Sequence, residues 1–189
     1  MNENEWVSLI IERLRPQLIG DVSRLRIFQG HRLPYAKEVT RYQGDDAFDH
    51  YTMSYQTDIL ITEESTDGSW LPRLIIEAKI RSVTTHSAIT YSQKASTHKS
   101  VHPYLRYGII LGNRGDDALP GRLFRHGAHF DFMLSFVDYE PTEQEIVRLR
   151  NVVYDEIQAS RTLEEMIFQS RSRDRKRYTY LHRPLQLKK

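Results

Sequence analysis

Apolar and polar positions alternate with two distinct periods along this chain. Over roughly residues 4 to 19, Trp6, Leu9, Ile10, Leu14 and Leu18 recur at helical spacing, and Gly20 supplies a stop. Residues 35–43 read as extended, followed by Gly44 and an acidic turn carrying Asp45, Asp46 and Asp49. Tyr51 to Thr62 has the Tyr, Thr and Ile density of a strand and breaks at a Ser-Thr-Asp-Gly cluster. After Pro72, Leu74 to Ile80 predicts a further strand, LIIEAKI. A helix follows over about Ser87 to Ser100, with Thr85 or His86 near its start and His102-Pro103 ending it. Tyr107 to Leu111 and Phe130 to Val137 predict two more strands, separated by a long loop over 113–129. Thr142 and Glu145 fit a capping box after Pro141, and a second C-terminal helix is expected from about Thr162 to Gln169.

No internal repeat or flexible linker divides this pattern, so residues 1–170 are expected to form one α/β domain around a mixed central sheet flanked by helices. Residues 171–189 differ in composition: eight are basic (Arg171, Arg173, Arg175, Lys176, Arg177, Arg183, Lys188 and Lys189) against the single acid Asp174. The preceding residues hold 19 basic and 24 acidic side chains, so the overall charge of +2 conceals a basic tail on a mildly acidic body. Such a tail favours phosphate backbones. The chain has no cysteine, which excludes disulfides, thiolate zinc sites and cysteine nucleophiles. No apolar run reaches the roughly 20 residues of a membrane helix, and the acidic start at Glu3 and Glu5 is unlike a secretory signal. A cytoplasmic protein without a membrane partner is the expectation.

The chemistry-bearing feature is Glu77-Ala78-Lys79 inside the apolar strand. Alternation places Ile75, Glu77 and Lys79 on one face and Ile76, Ala78 and Ile80 on the other. A carboxylate and an ammonium near the centre of a sheet are costly unless paired. Asp58 sits under the same tension between Thr57 and Ile59, and pairing of the two strands would bring it beside Glu77. Two carboxylates and a lysine suit a hard cation and a phosphate, since magnesium takes one or two carboxylates and keeps water and phosphate oxygens in its other positions. The Ala78 carbonyl is a candidate further ligand.

At these residues the sequence resembles the PD-(D/E)XK nuclease superfamily, whose pattern is an acid on one strand and acid-x-Lys on the next. Thr57-Asp58 stands where that pattern has Pro-Asp, and Glu77-Ala78-Lys79 stands for (D/E)XK. The resemblance spans roughly residues 5–112. It implies a restriction-endonuclease-like α-β-β-β-α-β core followed by C-terminal helices. It also implies Mg2+-dependent cleavage of double-stranded DNA, with Mn2+ as a substitute. Asp58 and Glu77 would then be metal ligands and Lys79 the catalytic lysine.

The family often draws a further acid from its first helix or strand, which makes Glu12 and Glu38 candidates. It also aims a polar residue from the helix after the lysine strand, for which Gln93 or Lys94 would serve. Arg114, Arg122 and Arg125 in the long loop are candidate DNA contacts, together with Arg171, Arg173, Arg175, Lys176 and Arg177 of the tail. His98, His102, His126 and His129 match no metal-site spacing. The expected activity is that of a type II restriction endonuclease. A structure-specific or repair nuclease and a non-cleaving DNA-binding protein of the same fold are the alternatives. A homodimer would suit a double-strand cut. Ile146, Leu149, Val153 and Ile157 form a stripe that serves either such a dimer or the protein's own core.

Overall fold

The computed structural model describes residues 1–19, 24–168, 173–174, 177–182 and 185–187. The elements in chain order are α1 (Glu3–Ile19), β1 (Leu25–Gln29), β2 (Arg32–Gln43), β3 (Asp46–Gln56), β4 (Ile59–Glu64) and β5 (Trp70–Ile80), followed by α2 (Thr85–Val101), β6 (Arg106–Gly112), α3 (Gly121–His126), β7 (Phe132–Ser135) and α4 (Glu143–Phe168).

Five strands form a mixed sheet in the order β1-β4-β5-β6-β7. Pairing is antiparallel for β1–β4 and β4–β5, and parallel for β5–β6 and β6–β7. A parallel neighbour requires a crossover, and α2 provides it between β5 and β6. The alternation of β5 sorts its side chains between two cores. Leu74, Ile76 and Ala78 bury against α1 and α4, while Ile75 packs with Leu60, Tyr107 and Ile109 beneath α2 and α3. Glu77 shares the second face. At the end of β6 Gly112 admits the Trp6 ring, since a Cβ there would lie 2.5 Å from it. The Trp6 indole N–H meanwhile donates to the Tyr139 carbonyl at 3.0 Å.

Several expectations change. The strand expected over 51–62 is two strands divided at Thr57-Asp58, where the Thr57 N–H and hydroxyl both donate to the His31 carbonyl at 3.0 and 2.9 Å and turn the chain. The extended segment 35–43 is not a core strand; it pairs with β3 in a separate two-stranded ribbon. The strand that completes the core is β1, which the reading of the sequence missed. The loop over 113–129 contains the short helix α3. The two C-terminal helices are one, because residues 158–162 contain no Gly or Pro to break α4. Its capping box is present, with the Thr142 and Val137 N–H groups donating to the Glu145 carboxylate at 2.8 Å. Ile146, Leu149, Val153 and Ile157 are buried against α1 and the sheet, so that stripe is core and not a dimer face. Gly20, the expected stop of α1, lies outside the described residues.

Candidate active site

The β4–β5 ladder ends at Ile59 opposite Ile76, which leaves the Ala78 N–H beyond it without a strand partner. Asp58, on the bend that precedes β4, fills the gap: the Ala78 N–H donates to its Oδ2 at 2.8 Å. This bond aims the Asp58 carboxylate across the end of the ladder toward Glu77. A strand residue's N–H and C=O point the same way, so the Ala78 carbonyl lies on the Asp58 side as well.

Glu77 is 2% exposed, and its Oε1 accepts from the Tyr107 hydroxyl of β6 at 2.5 Å. Burial pushes its carboxyl up, and the Asp58 charge pushes in the same direction. Lys94 and the Tyr107 hydrogen bond oppose them, and the balance lies at about 7 instead of the ordinary 4.5. The pair is therefore short of positive charge. Burial similarly raises the Tyr107 hydroxyl, reinforced by Glu77, so it remains a donor.

Lys79 extends from the same face of β5. Its Nζ lies 2.5 Å from a Glu3 carboxylate oxygen at the start of α1 and 4.7 Å from the Tyr91 ring centre. Burial alone would lower its ammonium, but hydrogen bonds to Glu3 and Tyr91 outweigh that and raise it above the usual range. It is a fixed cation. Lys94 on α2 places a second ammonium 4.9 Å from the Tyr91 ring and 5.3 Å from the Tyr55 ring of β3.

The structure thus gathers Asp58, Glu77, Ala78 and Lys94, with Lys79 two residues along the same face of β5 and held there by Glu3 and Tyr91. Gln93, one position from Lys94, falls on the exposed side of α2. Glu12 is exposed on α1, and Glu38 is exposed on the β2–β3 ribbon opposite Tyr51. The acid that α1 does supply to this group is Glu3. Arg114 is taken up by the β5–α2 connection and by its own loop, donating to the Arg81 carbonyl at 2.5 Å and the Ala118 carbonyl at 3.2 Å. Arg122 and Arg125 are exposed on α3, which packs beside α2 on the Glu77 face of the sheet. Arg173 and Arg177 are exposed, while Arg171, Arg175 and Lys176 lie outside the described residues.

Reading the sequence did not single out Glu3, Tyr55, Tyr91 or Tyr107. Tyr91 had a signal, being one helical turn from Lys94. The place of Tyr107 depends on strand register, with Ile109 opposite Glu77, and no local pattern announces it. His98 is buried among the Tyr35, Tyr55 and Tyr107 rings, and burial first of all pushes its imidazole down to about 4. It serves as a neutral packing residue.

Among the described residues no three His, Asp or Glu side chains converge as metal ligands. The donors are two carboxyl groups and the adjacent Ala78 carbonyl, all hard oxygens, and the Glu77 carboxyl is pushed up by burial first and by the Asp58 charge second. That set fits Mg2+ or Mn2+, which keep most of their coordination sphere for water and phosphate. No protein-family model matches the chain, and no curated protein matches it either.

Proposed function

We propose that this protein is a magnesium-dependent DNA endonuclease of restriction-endonuclease-like fold, acting as a type II restriction enzyme does. The observation that carries the reading is the placing of Asp58 and Glu77 side by side, with the fixed Lys79 ammonium on the same face of β5. The succession α1-β1-β4-β5-α2-β6 supports it: with the β2–β3 ribbon set aside as an insertion, it follows the α-β-β-β-α-β order that the sequence resemblance implies.

Asp58, Glu77 and the Ala78 carbonyl would hold the cation. When bound, Mg2+ would supply a water of lowered pKa and offset charge developing on the phosphoryl oxygens. The protein's own groups do the rest. The Ala78 N–H fixes the rotamer of Asp58, and the Tyr107 hydroxyl fixes that of Glu77. Lys79 neutralises the scissile phosphate; its raised pKa and its Glu3 and Tyr91 partners make it an electrostatic group and not a proton acceptor. Lys94 adds a second positive charge between two aromatic rings, where a neighbouring phosphate could be met. Arg122 and Arg125 on α3 and the basic tail would contact the flanking backbone.

The test is cleavage of supercoiled plasmid and linear phage DNA with Mg2+, with EDTA, and with Asp58→Ala and Lys79→Ala. We expect discrete fragments that require Mg2+ and both side chains, with DNA binding retained by Lys79→Ala. Cleavage that persists in Lys79→Ala would sink the assignment. Binding without cleavage across many DNAs would favour a non-cleaving protein, and products that appear only on branched DNA a structure-specific nuclease.

A further inference from the structure

The β2–β3 ribbon is anchored at one end only. Leu33 is buried, Tyr35 and Tyr55 stack with ring centres 3.8 Å apart, and both rings rest on His98 of α2. Beyond this base the strands, 12 and 11 residues long, leave the body, and every residue from 37 to 52 is exposed. An isolated two-stranded ribbon is marginally stable in water. This one also carries Val39, Tyr42, Phe48 and Tyr51 into solvent, the three aromatics at 63–67% exposure. Exposed aromatics on an otherwise uncovered element are interface material.

The charge on the arm argues for a protein partner over a phosphate backbone. Residues 37–52 hold Lys37 and Arg41 against Glu38, Asp45, Asp46 and Asp49. Along the length, Arg41 lies opposite Asp49, and Glu38 projects on the opposite face of the ribbon from Lys37, which leaves Arg32 and Lys37 as the positive end of one face near the base and Asp45 and Asp46 as the negative end on the tip. An element charged oppositely at its two ends complements a copy of itself laid antiparallel, tip over base. Pro34, Lys37 and the register shifts at Pro34/Ala36 and Val39/Arg41 blunt the edge of β2, so faces and not edges would meet.

We propose that the arm is a homotypic docking device: two copies of this chain associate by packing their β2–β3 arms antiparallel about a two-fold axis, burying Val39 and Tyr42 on the face of the ribbon that also carries Lys37. Each acidic tip then lies over the partner's basic arm base. This does not depend on the nuclease reading, since association is measured without nucleic acid.

Sedimentation velocity of the full chain tests it, with two charge-reversed variants. The tip variant carries Asp45→Lys and Asp46→Lys; the base variant carries Arg32→Glu and Lys37→Glu. The wild type should dimerise. Each variant alone should lose at least roughly tenfold in self-association, because tip and base then repel. Mixing the two variants should restore a dimer, since tip and base are again opposite in both halves of the mixed pair. Because these positions are exposed, unfolding temperatures should stay close to that of the wild type, which separates lost association from lost folding. Three results overturn the proposal: a wild type monomeric up to roughly 100 μM, a dimer indifferent to either reversal, or a mixture that fails to associate. A reversal that changes only DNA affinity falls under the second of these.

Discussion

Replacing Glu77 with Gln should remove a pH dependence of stability that its surroundings impose. In the folded protein this carboxyl holds its proton up to about 7, against an ordinary value of 4.5, because it is buried and faces Asp58. Between those pH values the native state binds a proton that the unfolded chain has released. The stabilisation is complete below 4.5, falls as pH rises, and is gone above 7. A gap of that width corresponds to about 3 kcal/mol. Gln is isosteric, always neutral, and keeps an oxygen to accept from Tyr107. In EDTA, Glu77→Gln and wild type should therefore match at low pH, diverge as pH rises from about 4.5 to about 7, and stay apart above that, with the variant more stable by up to about 3 kcal/mol, or roughly 6–12 °C in melting temperature for a chain of this size. Urea titrations between about pH 5 and about pH 8.5 measure the difference. Mg2+ added at the upper end should stabilise the wild type more than the variant, because the cation binds the ionised form. A stability difference that stays constant across the whole pH range would refute the coupling of burial and Asp58 charge at Glu77.

Three further outcomes follow from the same geometry. Lys94→Met removes the ammonium that opposes the rise at Glu77, so the fall in stability with rising pH should extend to higher pH; an unchanged midpoint in urea profiles would place Lys94 outside the site's field. Gly112→Ala drives a Cβ against the Trp6 ring and should destabilise by about 1–3 kcal/mol, seen as a lower melting temperature; no change would mean that α1 can shift without cost. Deleting residues from Arg171 onward should weaken DNA affinity and flatten its dependence on salt, each lost phosphate contact reducing the log–log slope by about one. An identical slope would confine DNA contact to residues before Arg171.

The catalytic candidates were readable because they break a rule. Glu77 and Lys79 interrupt an apolar run that is otherwise committed to burial, and such charges stand out whatever the fold. Asp58 was readable as an acid that strand pairing would bring beside Glu77, but what seats it was not: it lies at the end of the β4–β5 ladder, where an unpaired Ala78 N–H awaits it, and a register is invisible in one strand's sequence. The same holds for Tyr107, whose hydroxyl reaches Glu77 only because β5 and β6 run parallel with Glu77 opposite Ile109. Lys94 against Gln93 was a question of helix phase, and the small buried row of Ala88, Ser92, Ala95 and His98 settles it by turning Lys94 inward. The ribbon was read only in pieces, as an extended segment, a turn and a strand, and not as a unit apart from the core, for another reason. Its outer half has no apolar face to bury within this chain, so its pattern of Thr, Arg, Gln, Asp and scattered aromatics resembles a loop with strand-like residues in it. A segment that alternates without a core to alternate against is folded by its cross-strand partner alone. A surface supplied by another molecule is the natural complement to its exposed aromatic side chains.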